Sequence, residues 1–198
     1  MLKRIVFLLM MVSLITPLAF ARGSADKLIT AGNEWIKKGD YEKAIGNFEQ
    51  ALKINEKNVI AHLSLGLAYA HTGQLDKAVE HGRKAAELDP GYASFYNLGL
   101  IYATNKEADK AIEALDKALE ISPGSHMAEY QKGLVYTSQK AYDNALASHR
   151  HAIELNPYFA DAYLAVAGIS YRLGKREDTL KQAESLHKIG RNDLAEGL

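Results

Sequence analysis

The chain has 198 residues, 24 basic and 24 acidic side chains, four prolines and no cysteine. A formal charge of zero offers no basic surface for nucleic acid, and the missing cysteines exclude disulfides, thiol catalysis and lipid attachment of the bacterial lipoprotein kind. Size alone allows one or two domains.

Residues 1–21 stand apart from the rest. Lys3 and Arg4 precede an uncharged apolar stretch from Ile5 to Phe20, and Ala19-Phe20-Ala21 places small residues where a signal peptidase reads. The pattern predicts export, with cleavage after Ala21 and a periplasmic or secreted mature chain. The rival reading is an uncleaved anchor in the inner membrane. Pro17 and a run shorter than the ~20 residues of a span argue against it. Cleavage leaves 22 basic against 24 acidic side chains, a net charge of -2.

Beyond residue 25 one pattern recurs. Ala44, Ala78, Ala111 and Ala145 follow each other at 34, 33 and 34 residues, and seven residues after each comes Ala51, Ala85, Ala118 or Ala152. Glycines precede them at Gly32, Gly66, Gly99 and Gly133, each followed three residues later by Trp35, Tyr69, Tyr102 or Tyr136. Pro90, Pro123 and Pro157 close three of the four copies, and Glu56 stands in the first. A fifth, weaker copy places Ala167, Gly174, Thr179 and Leu186 at the equivalent positions.

In chain order this register predicts first helices near 26–38, 59–72, 92–104, 125–138 and 160–173. Second helices fall near 41–54, 75–88, 108–121, 142–155 and 176–189. A glycine inside a helix costs about 1 kcal/mol against alanine. Its recurrence therefore implies a partner that approaches too closely for a side chain. Gly39, Gly73 and Gly174 supply turns between paired helices, while Asn105-Lys106 and Gln139-Lys140 are looser signals. Glu49 with Lys53, Glu80 with Lys84, Glu113 with Lys117 and Glu184 with Lys188 are spaced to pair along a wet face of the second helices. The polar set of Lys181, Gln182, Glu184, Ser185 and Lys188 suits the open end of a stack.

A period near 34 with these residues resembles the tetratricopeptide repeat, a helix-turn-helix unit. The resemblance spans roughly residues 25–189. It implies an all-α fold, a right-handed α-α superhelix of about five units at 25–58, 59–91, 92–125, 126–159 and a degenerate capping unit at 160–193. Such pairs bury their apolar sides only by stacking. The resemblance also implies a protein or peptide partner held in a concave groove, lined by first-helix residues that do not carry the motif.

Carried across position by position, the groove residues are Asn33, Leu63, Leu67, His71, Tyr96, Asn97, Leu100, Tyr130, Gln131, Leu134 and Tyr171. Ile36, Ser64, Thr104, Ser138 and Leu164 accompany them. Leucines and rings supply contact area, and the amides can both donate to and accept from a peptide backbone. Residue by residue, the alternative for the leucines is packing between adjacent first helices. The family's clamp for an acidic C-terminal carboxylate finds only Asn33 in place. Ile29, Ser64, Ala93 and Asn97 occupy its other slots, so that mode is not expected.

No catalytic motif is present: no P-loop, Gly-x-Ser-x-Gly, His-Glu-x-x-His or Gly-x-Gly-x-x-Gly. No enzyme activity, cofactor or metal site is expected. His149 and His151 lie two apart on a helix and point to different sides. His149 stands where Phe48 and Leu115 stand in other copies, and reads as a core histidine with a hydrogen-bond partner. His71 and His126 read as exposed. Gly82 occupies the same large apolar slot, which predicts a soft second helix there or a neighbour filling the gap. Lys132 replaces a leucine found at Leu65 and Leu98. The expected function is an exported scaffold for protein binding in the cell envelope. The alternative is a membrane-anchored assembly factor for a secretion, pilus or cytochrome-maturation complex, with membrane contact only if residues 1–21 are retained.

Overall fold

Ala44, Ala51, Ala78, Ala85, Ala111, Ala118, Ala145 and Ala152 are all completely buried. The sequence period is therefore a packing period, one pair of alanines per helix pair. The computed structural model describes residues 23–198, and the expected export segment lies outside them. Every regular element among the described residues is helical. Helix α1 covers 23–37. It is followed by α2 (Tyr41–Ile54), α3 (Val59–His71), α4 (Leu75–Leu88), α5 (Tyr92–Thr104) and α6 (Ala108–Ile121). Then come α7 (His126–Ser138), α8 (Tyr142–Leu155), α9 (Ala160–Arg172), α10 (Arg176–Lys188) and the short α11 (Asn192–Ala195). None is long and apolar enough to cross a membrane.

The turns inside each pair share one geometry. Gly39, Gly73 and Gly174 adopt positive φ of 75°, 76° and 70°. The next amide bonds back to the helix: Asp40 N–H to Trp35 O at 3.0 Å, Gln74 to Tyr69 at 2.9 Å, Lys175 to Ser170 at 2.9 Å. This is the Schellman ending, in which a left-handed residue lets orphan carbonyls find donors. Where the sequence has no glycine the chain takes the same path, with Lys106 and Lys140 both at φ 60°. A side chain in that region is strained by roughly 1–2 kcal/mol. The stack therefore dictates the turn, and the residue follows. Asp40, Asn58 and Ser125 cap α2, α3 and α7 by accepting from the backbone N–H three residues on.

The described chain forms two compact units, one ending at Pro90 and one spanning Gly91–Leu198. In the first, α2 packs on α3 and α3 on α4, and Gly32 of α1 faces the Phe48 ring. In the second, α5 to α11 each pack on the next helix. Three helical glycines have the reason the sequence implied. A Cβ on Gly99 would lie 2.7 Å from Leu115 Cγ, and one on Gly133 would lie 2.5 Å from His149 Cε1. At the C-terminus, Ala195 joins Ala160, Tyr163 and Leu186 in a buried cluster, with Leu194 and Ile189 against it. The short α11 thus covers apolar surface of the last helix pair.

Of the four expected charge pairs only Glu113–Lys117 closes, at 2.7 Å. Lys84 turns to Glu87 at 3.6 Å, and Glu49 accepts instead from the Tyr69 hydroxyl at 2.5 Å. Exposed pairs on one helix are worth only about 0.2–0.5 kcal/mol, so competing partners redirect them easily.

Candidate peptide-binding face

Within the second unit α5 touches α7 and α7 touches α9, whereas α6, α8 and α10 keep apart from one another. First helices therefore lie on the inner side of the curve and second helices on the outer. In the two middle pairs charge follows the same division. Helix α5 has no Lys, Arg, Asp or Glu, while α6 has six. In the first unit α3 has none and α4 six. Helix α7 carries two, and both meet side chains of neighbouring helices: Glu129, buried, lies 3.0 Å from His151 Nδ1, and Lys132 donates to Asp116 at 2.6 Å. Burial alone would lower the Lys132 ammonium, but its hydrogen bond and attraction to Asp116 outweigh that and raise it. The inner wall of this unit therefore has no charged side chain along α5, and the two of α7 are turned to partners on neighbouring helices.

The expected wall residues divide into two kinds. Leu134 is 38% exposed and Tyr171 76%, and Leu100 is half-buried, so these present apolar surface. Tyr96 and Tyr130 also serve the seams between helices. The Tyr96 ring packs on Ala111, Leu115 and Val135 and stacks on Tyr92 at 5.5 Å. Burial raises its phenol above the ordinary value, against a hydrogen bond from Gln131. Tyr130 lies 5.2 Å from the His149 ring and meets Phe159 edge-on at 5.0 Å. Asn97 spends one amide N–H on its own helix, donating to Ala93 O at 2.7 Å. In the first unit Asn33 and His71 are exposed, Leu63 and Leu67 half-buried, and His71 stacks on Tyr41 at 4.5 Å.

Family profiles described as tetratricopeptide repeat match residues 29–93, 92–125 and 130–159, together more than half of the chain. The chain belongs to the tetratricopeptide-repeat family. Serine/threonine-protein phosphatase 5 of Homo sapiens is 36% identical over 72 residues, 36% of this chain and 14% of that protein. The chain thus spans only a small part of that relative's length. Among solved structures it is similar to MamA, with TM-score 0.70 and 28% identity over 82% of this chain and 95% of that one. It is also similar in fold to pilF of Pseudomonas aeruginosa, with TM-score 0.74 and 19% identity over 89% of each chain.

Several features of this tetratricopeptide-repeat protein escaped the motif. His149 is fully buried as expected, but neither ring nitrogen has a partner, which corrects the expected hydrogen bond. Its ring fills the slot opposite Gly133, and burial pushes its pKa down to about 4. His126 is half-buried against Phe159, with Nε2 3.3 Å from the Asn156 amide, rather than exposed. Beside Gly82, which is buried, His81 stacks on Tyr69 and its Nδ1 meets His62 Nδ1 at 2.9 Å. Rings from neighbouring positions thus gather where the large residue is missing. His62 and His81 also edge a cleft of about 550 Å³ lined mainly by charged side chains of α4. Lys132 was visible only as a departure from the repeat and Glu129 not at all, because their partners lie 16 to 22 residues away on other helices.

Proposed function

We propose that this chain is an exported scaffold that holds a segment of a protein partner against the first helices of its second unit. Tyr96, Asn97, Leu100, Tyr130, Gln131, Leu134 and Tyr171 form the contact face, and Asn33, Leu63, Leu67 and His71 form a face of the same kind in the first unit. The observation that carries the reading is the division of charge in the two middle pairs: charged α4 and α6 outside, and half-exposed leucines, rings and amides on α3 and α5, which carry no charged side chain. Solenoids of this family use such extended concave surfaces for recognition. Five units with the boundaries 25–58, 59–91, 92–125, 126–159 and 160–193 belong to the same proposal.

Leu100→Asp together with Leu134→Asp places two charges on the face without disturbing the buried alanines. Capture of the partner segment is expected to fall at least tenfold with helicity unchanged by circular dichroism, as desolvating an unpaired carboxylate costs several kcal/mol. Unchanged capture would sink the proposal. Export rests on Lys3, Arg4, the apolar run to Phe20 and Ala19-Phe20-Ala21. Mass spectrometry of the N-terminus from the native envelope tests it: Arg22 as the first residue supports release, and intact Met1 supports the anchored alternative.

A further inference from the structure

Phe48, Leu115 and His149 fill the space opposite Gly32, Gly99 and Gly133, one large side chain in each of these helix pairs. In the second pair that register position is Gly82, and both Gly66 and Gly82 are buried. The seam between α3 and α4 therefore lacks the large side chain that the others have. A hydrogen bond stands beside the gap: His62 Nδ1 and His81 Nδ1 face each other at 2.9 Å, and His62 Nε2 lies 3.0 Å from the Glu56 carbonyl oxygen. The corresponding residues of other copies are Leu28 with Asn47, Phe95 with Ala114 and Glu129 with Ser148, so two imidazoles meet there in this copy only. An apolar contact is indifferent to acid, whereas this one depends on how many protons it holds. Two nitrogens at that distance share one proton, one ring donating and the other accepting. A first added proton can enter at the other nitrogen of His81 and leave the bond intact. A second puts N–H groups on both facing nitrogens, and two cationic rings then repel at close range.

We propose that His62 and His81 form an acid-released latch between α3 and α4, closed at neutral pH and opened below about pH 6, when both imidazoles are protonated. The latch holds the first unit shut whether or not its face binds a partner. His62 is buried, yet both rings edge the cleft of about 550 Å³, through which solvent protons reach them. Burial first, and then His62, hold His81 below its ordinary pKa; Glu80 and Glu49 oppose the shift, and Lys77 adds to it. Glu49 also accepts from the hydroxyl of Tyr69, whose ring stacks on His81. Around the cleft Glu56, Asp76 and Glu87 stand with Arg83 and Lys84, all exposed, so water and salt screen them. Because His81 is depressed in the closed form, the open form binds more protons below about pH 6.5. Closure therefore weakens as pH falls, with the open-to-closed ratio rising at most ~10-fold per pH unit for each proton taken up. Leu63, Leu67 and His71 lie on the same helix as His62, so release also loosens the first-unit face.

The test follows amide hydrogen exchange, corrected for the intrinsic effect of pH, in the full chain carrying His149→Phe, which removes the fully buried histidine of the second unit. Between pH 7 and pH 5, exchange from α3 and α4 is expected to quicken ~10-fold relative to α7 and α8. His62→Phe with His81→Ala writes the Phe95 and Ala114 of the third copy into the second. With no imidazole at the seam, that excess over α7 and α8 is expected to disappear. A further measurement leaves the pair in place: the nitrogen chemical shifts of both rings are expected to turn cationic in step with the loss of protection in α3 and α4. No excess in acid, an equal excess in the double variant, or two cationic rings with α3 and α4 still protected each overturn the inference. If the double variant does not fold, the ring shifts decide.

Discussion

His149→Phe is expected to raise the free energy of unfolding by about 1–3 kcal/mol at pH 7. The wild-type ring is completely buried with both nitrogens unpartnered, and each such group forfeits the hydrogen bonds it would make with water. Phenylalanine keeps a ring of similar shape opposite Gly133, as Phe48 does opposite Gly32. A second signature is acid sensitivity. Above pH 6.5 the imidazole is neutral in folded and unfolded chains alike. Below it, the unfolded chain takes up a proton that the folded chain refuses until about 4. The unfolded state binds more protons in this window, so stability falls as pH falls from about 6.5 to 4, by on the order of 3 kcal/mol in all. His81, also held below its ordinary value by burial and by His62, adds to the same slope in both proteins. The comparison to make is therefore between denaturant melts of wild type and variant at pH 7 and pH 4.5. Parallel pH profiles in the two proteins would overturn the argument.

Gly99→Ala is expected to cost about 1–3 kcal/mol, reversing the usual gain from removing a helical glycine. The new methyl would lie 2.7 Å from Leu115 Cγ and 3.3 Å from the Ala111 carbonyl oxygen. The leucine can shift its rotamer, but the carbonyl belongs to a helix and cannot yield alone. Leu115→Ala by itself leaves a cavity and is expected to cost about 2–5 kcal/mol. Since the two changes relieve and fill one space, the double variant should be more stable than the sum of the singles predicts, by about 1 kcal/mol or more. Strict additivity would mean that α5 and α6 do not meet at this point.

The scaffold was legible because it is written several times. Eight alanines, four glycines and the turns between paired helices repeat, and each copy corroborates the others, so helix ends fall close to where the register places them. Lys106 and Lys140 show the limit of local signals: the sequence there looks loose, yet the turn matches those made by glycine. What stayed hidden is written once. The pairing of Lys132 with Asp116, of Glu129 with His151 and of Tyr69 with Glu49 joins residues on different helices with no counterpart in other copies. Tyr96 and Tyr130 illustrate the same difficulty on the face itself. A register position says which way a residue leans, but only the neighbouring helix decides how much of an aromatic ring remains uncovered.

The two histidines beside Gly82 carry one more consequence. His62 Nε2 lies 3.0 Å from the Glu56 carbonyl oxygen, which can only accept, so that nitrogen holds the proton and the opposite one of the ring, Nδ1, is bare. The His81 nitrogen facing it at 2.9 Å must then be the protonated one. Neutral His62 and His81 are thus locked in opposite tautomers by a single backbone carbonyl. Nitrogen chemical shifts of the two rings form a built-in gauge of whether α3 and α4 are closed, since parting the helices frees both protons to exchange between sites.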